Sequence, residues 1–310
     1  MKKIVKTFID YFLIKYYSLK PIGSIREDIR GENLFFITGY DKSGTTWMKY
    51  TINEIEKFSC VGSNQYFDFY SELPENSILK AIQAAKERES VFNISANHFK
   101  SYFASVYLDR IIGVSNKKSL NFGEKSTEQN LSLIHFFFPK AKVIFMIRDM
   151  RDIIVSFAFH FDIKYKNKTK NWSQERSKLN ADGSIKDDFI EQEIQKIKAY
   201  YRHIINYFKH NSNLIHLVKY EDLIAENGFD HFYKMLQFIN SRDVNEHKAK
   251  KAWENNTFEK LSKGRKPGEK DEASFFRSGT SKDYVNHLTE KQITLIETEL
   301  EEQLQYFNYL

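Results

Sequence analysis

The sequence predicts a single α/β domain in which helices cover both faces of a central parallel sheet of about five strands. Three observations support this prediction. Several short segments are continuously apolar, as strands buried on both faces are. Segments with apolar residues at helical spacing follow them. The 310 residues, of which 41% are hydrophobic, suffice for one large α/β domain or two small ones, and no Ser/Gly-rich run suggests a linker between two.

The first 30 residues (1–30) are expected to form a helical extension of this domain. Residues 1–17 are basic and aromatic. Lys6 and Asp10 interrupt their apolar stretch, which is therefore too short and too polar to span a bilayer. It could lie on a membrane surface as an amphipathic helix, although a helix packed on the domain is favoured. No signal peptide is evident and the single Cys60 excludes an internal disulfide, so we expect a cytoplasmic protein.

The next segment predicts a phosphate-binding loop between a strand and a helix. Residues 34–37 form an apolar run that fits a buried strand, and apolar residues at helical spacing follow a turn rich in Gly, Ser and Thr. Backbone N–H groups at the start of a helix point one way, and the helix dipole there favours an anion. Thr45 and Thr46 add hydroxyl donors, and Lys42 adds a full charge.

The spacing of this loop is close to that of a P-loop but departs from it at one residue. Four residues separate Gly39 from Gly44, and a P-loop would continue with Lys and then Ser or Thr. Thr45 stands where that Lys belongs, and the Lys of this loop is Lys42. An ATPase uses its Lys on the β- and γ-phosphates and its hydroxyl on Mg²⁺. The loop is therefore predicted to bind a phosphate without that arrangement.

The motif Lys42-Ser-Gly-Thr-Thr-Trp47 resembles the loop of PAPS-dependent sulfotransferases related to the cytosolic enzymes. That family uses the loop for the 5′-phosphosulfate of 3′-phosphoadenosine 5′-phosphosulfate (PAPS). The family has Pro before the motif and this chain has Asp41, which alters the turn but removes no ligand. The resemblance implies that Lys42 stabilises the charge that builds on the leaving phosphate oxygen. The residues it assigns to the cofactor here are Lys42, Ser43, Gly44, Thr45, Thr46 and Trp47.

Two further motifs resemble the family's site for the 3′-phosphate. Arg148 ends the clearest strand of the sequence, and Ser156 follows eight residues later, about two turns into a helix. The family's Arg-x7-Ser pattern holds the 3′-phosphate with both residues. The segment after Phe275 resembles the family's last motif, Arg-Lys-Gly-x-x-Gly-Asp-Trp, with Ser in place of Lys and Lys282 in place of the second Gly. The residues it implies in cofactor binding are Phe276, Arg277, Ser278 and Gly279.

The adenosine part of the cofactor is matched by two more segments. Tyr220 opens the motif Tyr-Glu-Asp-Leu, whose Tyr reaches the adenosine in the resembling family. The segment 256–261 resembles the one that closes over adenine, where Thr257 or Asn256 would hydrogen-bond the base. Phe258 would then face Trp47 across the ring, and such stacking contributes about 1–3 kcal/mol per base.

Two residues compete for the role of general base. His98 is expected just past a strand at 91–95, where open α/β sheets place their ligands, and the resembling family keeps its base there. The family's companion Lys is Ala96 here, and Lys100 or Lys125 could supply the missing charge. Glu124 is the alternative base or a structural ion-pair partner. Its motif, Gly-Glu-Lys-Ser, resembles bacterial sulfotransferases.

The remaining segments complete the predicted domain. Residues 160–188 are polar with alternating lysines, and we expect an irregular surface segment that acts as a lid. The acceptor pocket is expected from this lid and two irregular segments, 66–73 and 99–107. Further strands and helices are predicted at 214–220, 77–88, 191–209, 229–239, 246–255 and 290–305.

Composition limits the partners. The net charge is +6 and the pI is about 9.0, which suits a polyanion. The sequence has no zinc-type Cys/His pattern and no RNA-binding signature, so a small anion is favoured over nucleic acid, and no metal is expected. Because the family's dimer motif is broken at Val285 and Thr289, no oligomer is indicated.

These features together predict in-line transfer of a sulfuryl group from PAPS to a hydroxyl or amine, with release of 3′-phosphoadenosine 5′-phosphate (PAP). The acceptor is a small molecule or a glycan, and the sequence leaves phenol, alcohol, glycan and amine open. Two alternatives stand beside this prediction. One is a nucleotide kinase with a P-loop-like site, and the other is a catalytically idle module that binds PAP or a glycan.

Overall fold

The computed structural model describes residues 31–62, 96–115, 118–126, 131–168, 177–271 and 274–310. The expected N-terminal extension, the strand at 91–95, the helix at 77–88 and the aromatic segment 66–73 lie outside these residues.

A five-stranded parallel sheet forms the centre of the domain, as predicted. Its strands stand in the order β2-β3-β1-β4-β5. Register is set by pairs such as Phe35 with Gly123 on one side of β1 and Phe36 with Val143 on the other. The strands are β1 Leu34–Thr38, β2 Phe58–Val61, β3 Asn121–Lys125, β4 Lys142–Ile147 and β5 Ile215–Lys219.

Helices connect the strands and cover the sheet. The long helices on one face are α2 Ala96–Val114, α4 Met150–Lys168 and α5 Asp187–Asn211. The others are α1 Thr45–Asn53, α3 Leu131–Phe137, α6 Tyr220–Ile224, α7 Gly228–Asn240, α8 Glu246–Asn255, α9 Phe258–Leu261, α10 Glu290–Glu299 and α11 Glu301–Tyr306.

Two apolar cores lie on the two faces of the sheet. Because side chains alternate along a strand, Leu34 and Phe36 of β1 pack in one core and Phe35 and Ile37 in the other. β1 is buried along its whole length. Burial on both faces explains why β1 and β4 read as continuous apolar runs rather than as alternating patterns.

The topology brings the functional segments to one edge of the sheet. β1 lies between β3 and β4, and all the strands run in the same direction. The segments that follow β1, β3, β4 and β5 therefore leave the sheet at the same edge. A crevice at this edge is where open parallel sheets bind ligands.

Three features differ from the sequence expectation. β2 and β3 were not predicted as strands, since neither carries an apolar run of the length seen in β4. Residues 160–168 were expected to be irregular, but they continue α4 to Lys168. The predicted helix 290–305 divides into α10 and α11, with Leu300 between them.

Candidate active site

The loop after β1 has a backbone that few residues tolerate. Gly39 has φ 152°, and a Cβ there would lie 2.2 Å from the carbonyl oxygen of Met146 on β4. Lys42 has φ 73° although it carries a side chain. Gly44, at φ 92°, occupies the N-cap of α1. These left-handed residues fold the loop back so that α1 starts beside the end of the sheet.

The first turn of α1 faces a cavity with its backbone amides. Gly44 has no side chain that could cap these amides, so they remain for an anion. Thr45 and Thr46 both line the cavity. Ser43 differs from them, because it is fully buried and its amide donates to the Tyr40 carbonyl at 3.2 Å. The geometry therefore places Ser43 in the support of the loop.

The cavity has a volume of about 380 Å³, which is in the range of small-molecule sites. All the residues predicted to bind the cofactor line it, except Ser43 and Thr257. The predicted residues in its wall are Lys42, Gly44, Thr45, Thr46, Trp47, Arg148, Ser156, Tyr220, Phe258, Phe276, Arg277, Ser278 and Gly279. Segments far apart in the sequence thus meet at one site.

Arg148 is held in place from several sides. Its guanidinium donates to the carbonyl of Thr280 at 3.1 Å and lies 3.6 Å from the carboxylate of Asp152. It also lies 4.4 Å from the centre of the Tyr220 ring. The side chain is 8% exposed, and its buried Nε has no hydrogen-bond partner among the described residues. A buried polar group without a partner calls for an explanation, and Arg148 also lines the cavity, so a bound anion is one partner that this cation suits.

Arg277 is arranged in the same manner. Its guanidinium pairs with the carboxylate of Asp283, and its Nη1 lies 3.3 Å from Nε2 of His287. Burial alone would raise the pKa of Asp283, but hydrogen bonds from His287 and Lys270 hold it well below its usual range. Asp283 is therefore a fixed negative charge behind Arg277. The Nε of Arg277 is also buried and has no partner among the described residues.

Aromatic side chains make the wall expected for adenine. Trp47 and Phe258 both line the cavity, and their stacking on adenine stays a prediction. The Trp47 indole donates to the carbonyl of Asn256 at 2.7 Å, which fixes the ring plane. A Cβ on Gly279 would lie 2.3 Å from the Phe258 ring, so glycine is required where this loop crosses the ring.

The two alternatives for hydrogen-bonding the base, Asn256 and Thr257, both make hydrogen bonds within the protein. The Asn256 amide nitrogen donates to Glu54 at 2.7 Å and to the Ala252 carbonyl at 2.9 Å. The Thr257 hydroxyl oxygen accepts from the Lys260 amide at 3.5 Å and caps α9. These bonds leave the Asn256 side-chain oxygen and the Thr257 O–H to face a base, and the choice between the two residues stays a prediction.

The ammonium of Lys42 lies over the ring of Phe275, 4.6 Å from its centre. Burial lowers the pKa of Lys42 to about 8; Asp41 opposes this shift, and the charges of Arg148 and Lys125 add to it. The neighbouring cations act in the same direction as burial, because each positive charge disfavours the next. The same cluster would bind a polyanion.

The two candidate bases have different surroundings. The backbone of His98 lies in the first turn of α2, and its side chain is outside the described part of the protein. Glu124 lies in β3, is completely buried, and accepts a hydrogen bond from the Tyr107 hydroxyl at 2.6 Å. Glu124 is not in the cavity wall, whereas the adjacent Lys125 is. Lys125, which the sequence offered as a possible extra charge, does reach the site.

Four aromatic residues complete the cavity wall: Phe157, His160, Phe161 and Phe275. His160 and Phe161 begin the segment 160–188 that was expected to contribute to the acceptor pocket. Sequence reasoning missed Phe157 and Phe275; Phe157 directly follows the predicted Ser156 on α4, and this adjacency was the available signal. His160 packs edge-on against Phe275, with ring centres 5.7 Å apart.

Neither a metal site nor a membrane span is found in the described residues. Within the described ranges, no group of three or more His, Cys, Asp and Glu side chains is placed to hold a metal. Over the same ranges, no helix combines the length and the apolar character needed to cross a membrane.

Comparison with known structures shows the same fold in sulfotransferases. Mouse sulfotransferase SULT7A1, solved with PAP, is 18% identical, and the match covers 93% of this chain and 90% of that one with a TM-score of 0.54. Retinol dehydratase, solved with androsterone and the inactive cofactor PAP, is 15% identical, with 89% and 83% covered and a TM-score of 0.52. Sulfotransferase STF9 from Mycobacterium avium is 10% identical, with 95% and 81% covered and a TM-score of 0.54. At these identities the likeness shows a shared fold.

The sequence itself identifies the family. No curated protein sequence matches the chain. The sulfotransferase domain model, however, matches residues 32–308, which is nearly the whole of the chain. The motifs that line the cavity all lie within this match. The chain therefore belongs to the sulfotransferase domain family.

Proposed function

We propose that the protein transfers the sulfuryl group of PAPS to a hydroxyl or amine of a small-molecule or glycan acceptor and releases PAP. The observation that carries this proposal is the wall of the cavity. It joins the amides of a glycine loop and Lys42 to two buried arginines with unpartnered Nε groups. PAPS requires such a combination, because it has a 5′-phosphosulfate and a separate 3′-phosphate.

The residues present fit the nucleotide. The loop amides, Thr45 and Thr46 suit the 5′-phosphosulfate, since a helix N-terminus binds anions. Arg148 and Arg277 suit the 3′-phosphate, because guanidinium groups form strong charge-assisted hydrogen bonds with phosphate. Trp47 suits the adenine face. The mouse relative was solved with PAP, which supports the same assignment.

The reaction needs little covalent help from the protein. The acceptor oxygen forms a bond to sulfur while the bond from sulfur to the phosphate oxygen breaks, and that oxygen takes the electron pair. The acceptor proton passes to a general base, His98 in our prediction and Glu124 in the alternative. Lys42 in its protonated form offsets the negative charge on the leaving oxygen.

The acceptor is expected to approach the aromatic part of the wall. Phe157, Phe161 and Phe275 offer ring faces beside Lys42. Retinol dehydratase was solved with androsterone, which supports a small-molecule acceptor here.

We propose that most of the segment 160–188 acts as a lid over the cavity. Residues 160 and 161 belong to α4 and already line the cavity, so the lid would begin beyond them. The segment that starts at Ser177 is tied back to this helix, because the Ser177 hydroxyl and the Lys178 amide donate to Asp162 at 2.7 and 3.0 Å. These contacts anchor the C-terminal part of the proposed lid to α4. The buried free Cys60 fits the cytoplasmic location that we expect.

Binding of PAP against AMP tests the cofactor assignment. PAP should raise the melting temperature and bind tightly, whereas AMP, which lacks the 3′-phosphate, should bind more weakly. Arg148→Ala and Arg277→Ala should each weaken PAP by about tenfold or more, since a hydrogen bond to a charged group contributes about 1.5–3 kcal/mol. Arg202→Ala, at an exposed position of α5, is the matched control. Equal affinities for PAP and AMP in the wild type would contradict these roles, and tighter binding of ATP–Mg²⁺ than of PAP would favour the kinase.

Transfer of labelled sulfate from PAPS to a panel of phenols, alcohols, amines and glycans tests the activity itself. We expect labelled product with at least one class. PAP binding without transfer to any member would favour the idle binding module.

A further inference from the structure

One carboxylate joins the rim of the cavity to residue 309. Glu221 lies in the first turn of α6, next to Tyr220 of the cavity wall. Its Oε1 accepts the backbone N–H of Asp149 at 3.0 Å, and its Oε2 accepts the hydroxyl of Tyr309 at 2.7 Å. Hydrogen bonds to a carboxylate are about twice as strong as those between neutral groups. We call Asp149, Glu221 and Tyr309 the Glu221 bridge.

Tyr309 is fixed from the other sides as well. Its carbonyl accepts a hydrogen bond from Arg151 at 3.2 Å, and the Lys219 ammonium lies 4.6 Å from the centre of its ring. Burial and the Glu221 charge raise the pKa of the Tyr309 hydroxyl well above its usual range, so the hydroxyl stays protonated and donates. Glu221 therefore always has this donor at physiological pH.

Asp149 is clamped at both its amide and its side chain. While Glu221 holds the amide, Arg151 holds the carboxylate with Nε at 2.9 Å and Nη2 at 2.7 Å. Arg151 also pairs with Glu297 on α10. The residue just before this clamp is Arg148, so the point at which Arg148 leaves β4 is fixed from the side away from the cavity.

The consecutive residues Arg148 and Asp149 thus contact the consecutive residues Tyr220 and Glu221 at two points. On the cavity side, the Arg148 guanidinium lies on the Tyr220 ring at 4.4 Å. On the other side, the Asp149 amide bonds to Glu221. A shift of Glu221 would move both Tyr220 and the backbone of Arg148. The positions of Arg148 and Tyr220 in the cavity wall are therefore coupled to the Tyr309 hydroxyl, which is not part of that wall.

We propose that Glu221 and Tyr309 are positioning residues that set the affinity of Arg148 for the 3′-phosphate of the nucleotide. This inference rests on the function proposed above. The bridge acts by fixing the end of β4 from which the Arg148 side chain, held further out by Asp152 and Thr280, reaches the cavity wall. Removing the Tyr309 hydroxyl loosens Glu221 and, through it, Arg148.

The test uses Tyr309→Phe, which removes the hydroxyl and keeps the ring under Lys219. We expect the Kd for PAP to rise about 5- to 20-fold, because one charge-assisted hydrogen bond is lost and part of its free energy reaches Arg148. The Kd for AMP, measured by the same calorimetry, should change less than about twofold. Tyr306→Phe removes a hydroxyl at an exposed position and should change neither value. Loss of discrimination between PAP and AMP separates positioning from a general loss of structure.

Amide hydrogen exchange at Asp149 gives a readout that needs no nucleotide. The amide should exchange faster in Tyr309→Phe than in the wild type or in Tyr306→Phe. Glu221→Gln should act in the same direction and more strongly; if it does not fold, Tyr309→Phe decides. Unchanged exchange at Asp149, an unchanged PAP affinity, or an equal loss of PAP and AMP affinity would each overturn the inference. A wild type that does not distinguish PAP from AMP would instead show that the assignment of the 3′-phosphate has failed, and the inference would fall with it.

Discussion

The glycine loop of residues 39–44 and the pair formed by Arg148 and Arg277 are both built to hold an anion, but by different means. The loop is contiguous in sequence and uses backbone amides whose direction depends on three residues with positive φ. The arginines come from distant segments and use side-chain charge, each set by a buried acid, Asp152 or Asp283. One site is defined by backbone shape, whereas the other is defined by packing.

The difference predicts different consequences of mutation. We propose that Lys42 adds its charge where the leaving oxygen develops charge, so it should matter most in the transition state. The arginines, in our proposal, bind the 3′-phosphate, whose charge does not change during the reaction. They should therefore affect binding and leave the chemical step nearly alone.

The largest expected effect concerns the base. His98→Ala should lower turnover by about 10²–10⁴, the usual contribution of general-base catalysis, with PAP affinity unchanged. His203→Ala, at an exposed position of α5, is the matched control. Single-turnover transfer from PAPS measures the effect. If His98→Ala stays active while Glu124→Gln is inactive and still binds PAP, the base is Glu124, despite its burial against Tyr107.

Lys42→Ala tests the division between chemistry and binding directly. Turnover should fall by about 10²–10³, because one charge donor to the transition state is removed. The Kd for PAP should rise far less, since the loop amides remain. The comparison is with Arg277→Ala, for which the opposite pattern is expected. An active Lys42→Ala enzyme, or one that loses binding and turnover equally, would remove the distinction between the two regions.

The smallest effect concerns the pH dependence of PAP binding. The pKa of Lys42 is about 8 in the free protein, so the ammonium is mostly charged at pH 7 and mostly neutral at pH 9. PAP should bind a few-fold more weakly at pH 9 than at pH 7, and binding near pH 8 should take up protons. Calorimetry in buffers of different ionisation enthalpy measures this uptake. In Lys42→Ala the uptake should disappear; if it persists, another group titrates.

The contrast between the two regions also explains what the sequence could predict. The loop could be predicted from the sequence because its residues are adjacent and their types follow from the backbone they must adopt. The position of Arg148 could be predicted because it ends the clearest strand. The acids that pair with the arginines could not be predicted, because no local pattern links Asp283 to Arg277 or tells which carboxylate is buried.

The missed elements have physical reasons of the same kind. β3 contains Gly123 and Glu124, and a strand with a buried carboxylate shows no apolar run. Glu124 is tolerated there because the Tyr107 hydroxyl of α2 satisfies it, and that contact depends on the tertiary structure. The continuation of α4 was not predicted, because its alternating lysines are typical of a polar loop. The backbone is nevertheless helical through Lys168.

The left-handed backbone of Lys42 has a consequence for the stability of the protein. A residue with a side chain in this conformation costs roughly 1 kcal/mol, and glycine would avoid that cost. Lys42→Gly should therefore fold more stably than Lys42→Ala, which keeps the strain. Selection for thermal stability alone would favour glycine at position 42 and remove the ammonium that we propose stabilises the transition state, so at this position stability and activity are expected to oppose each other.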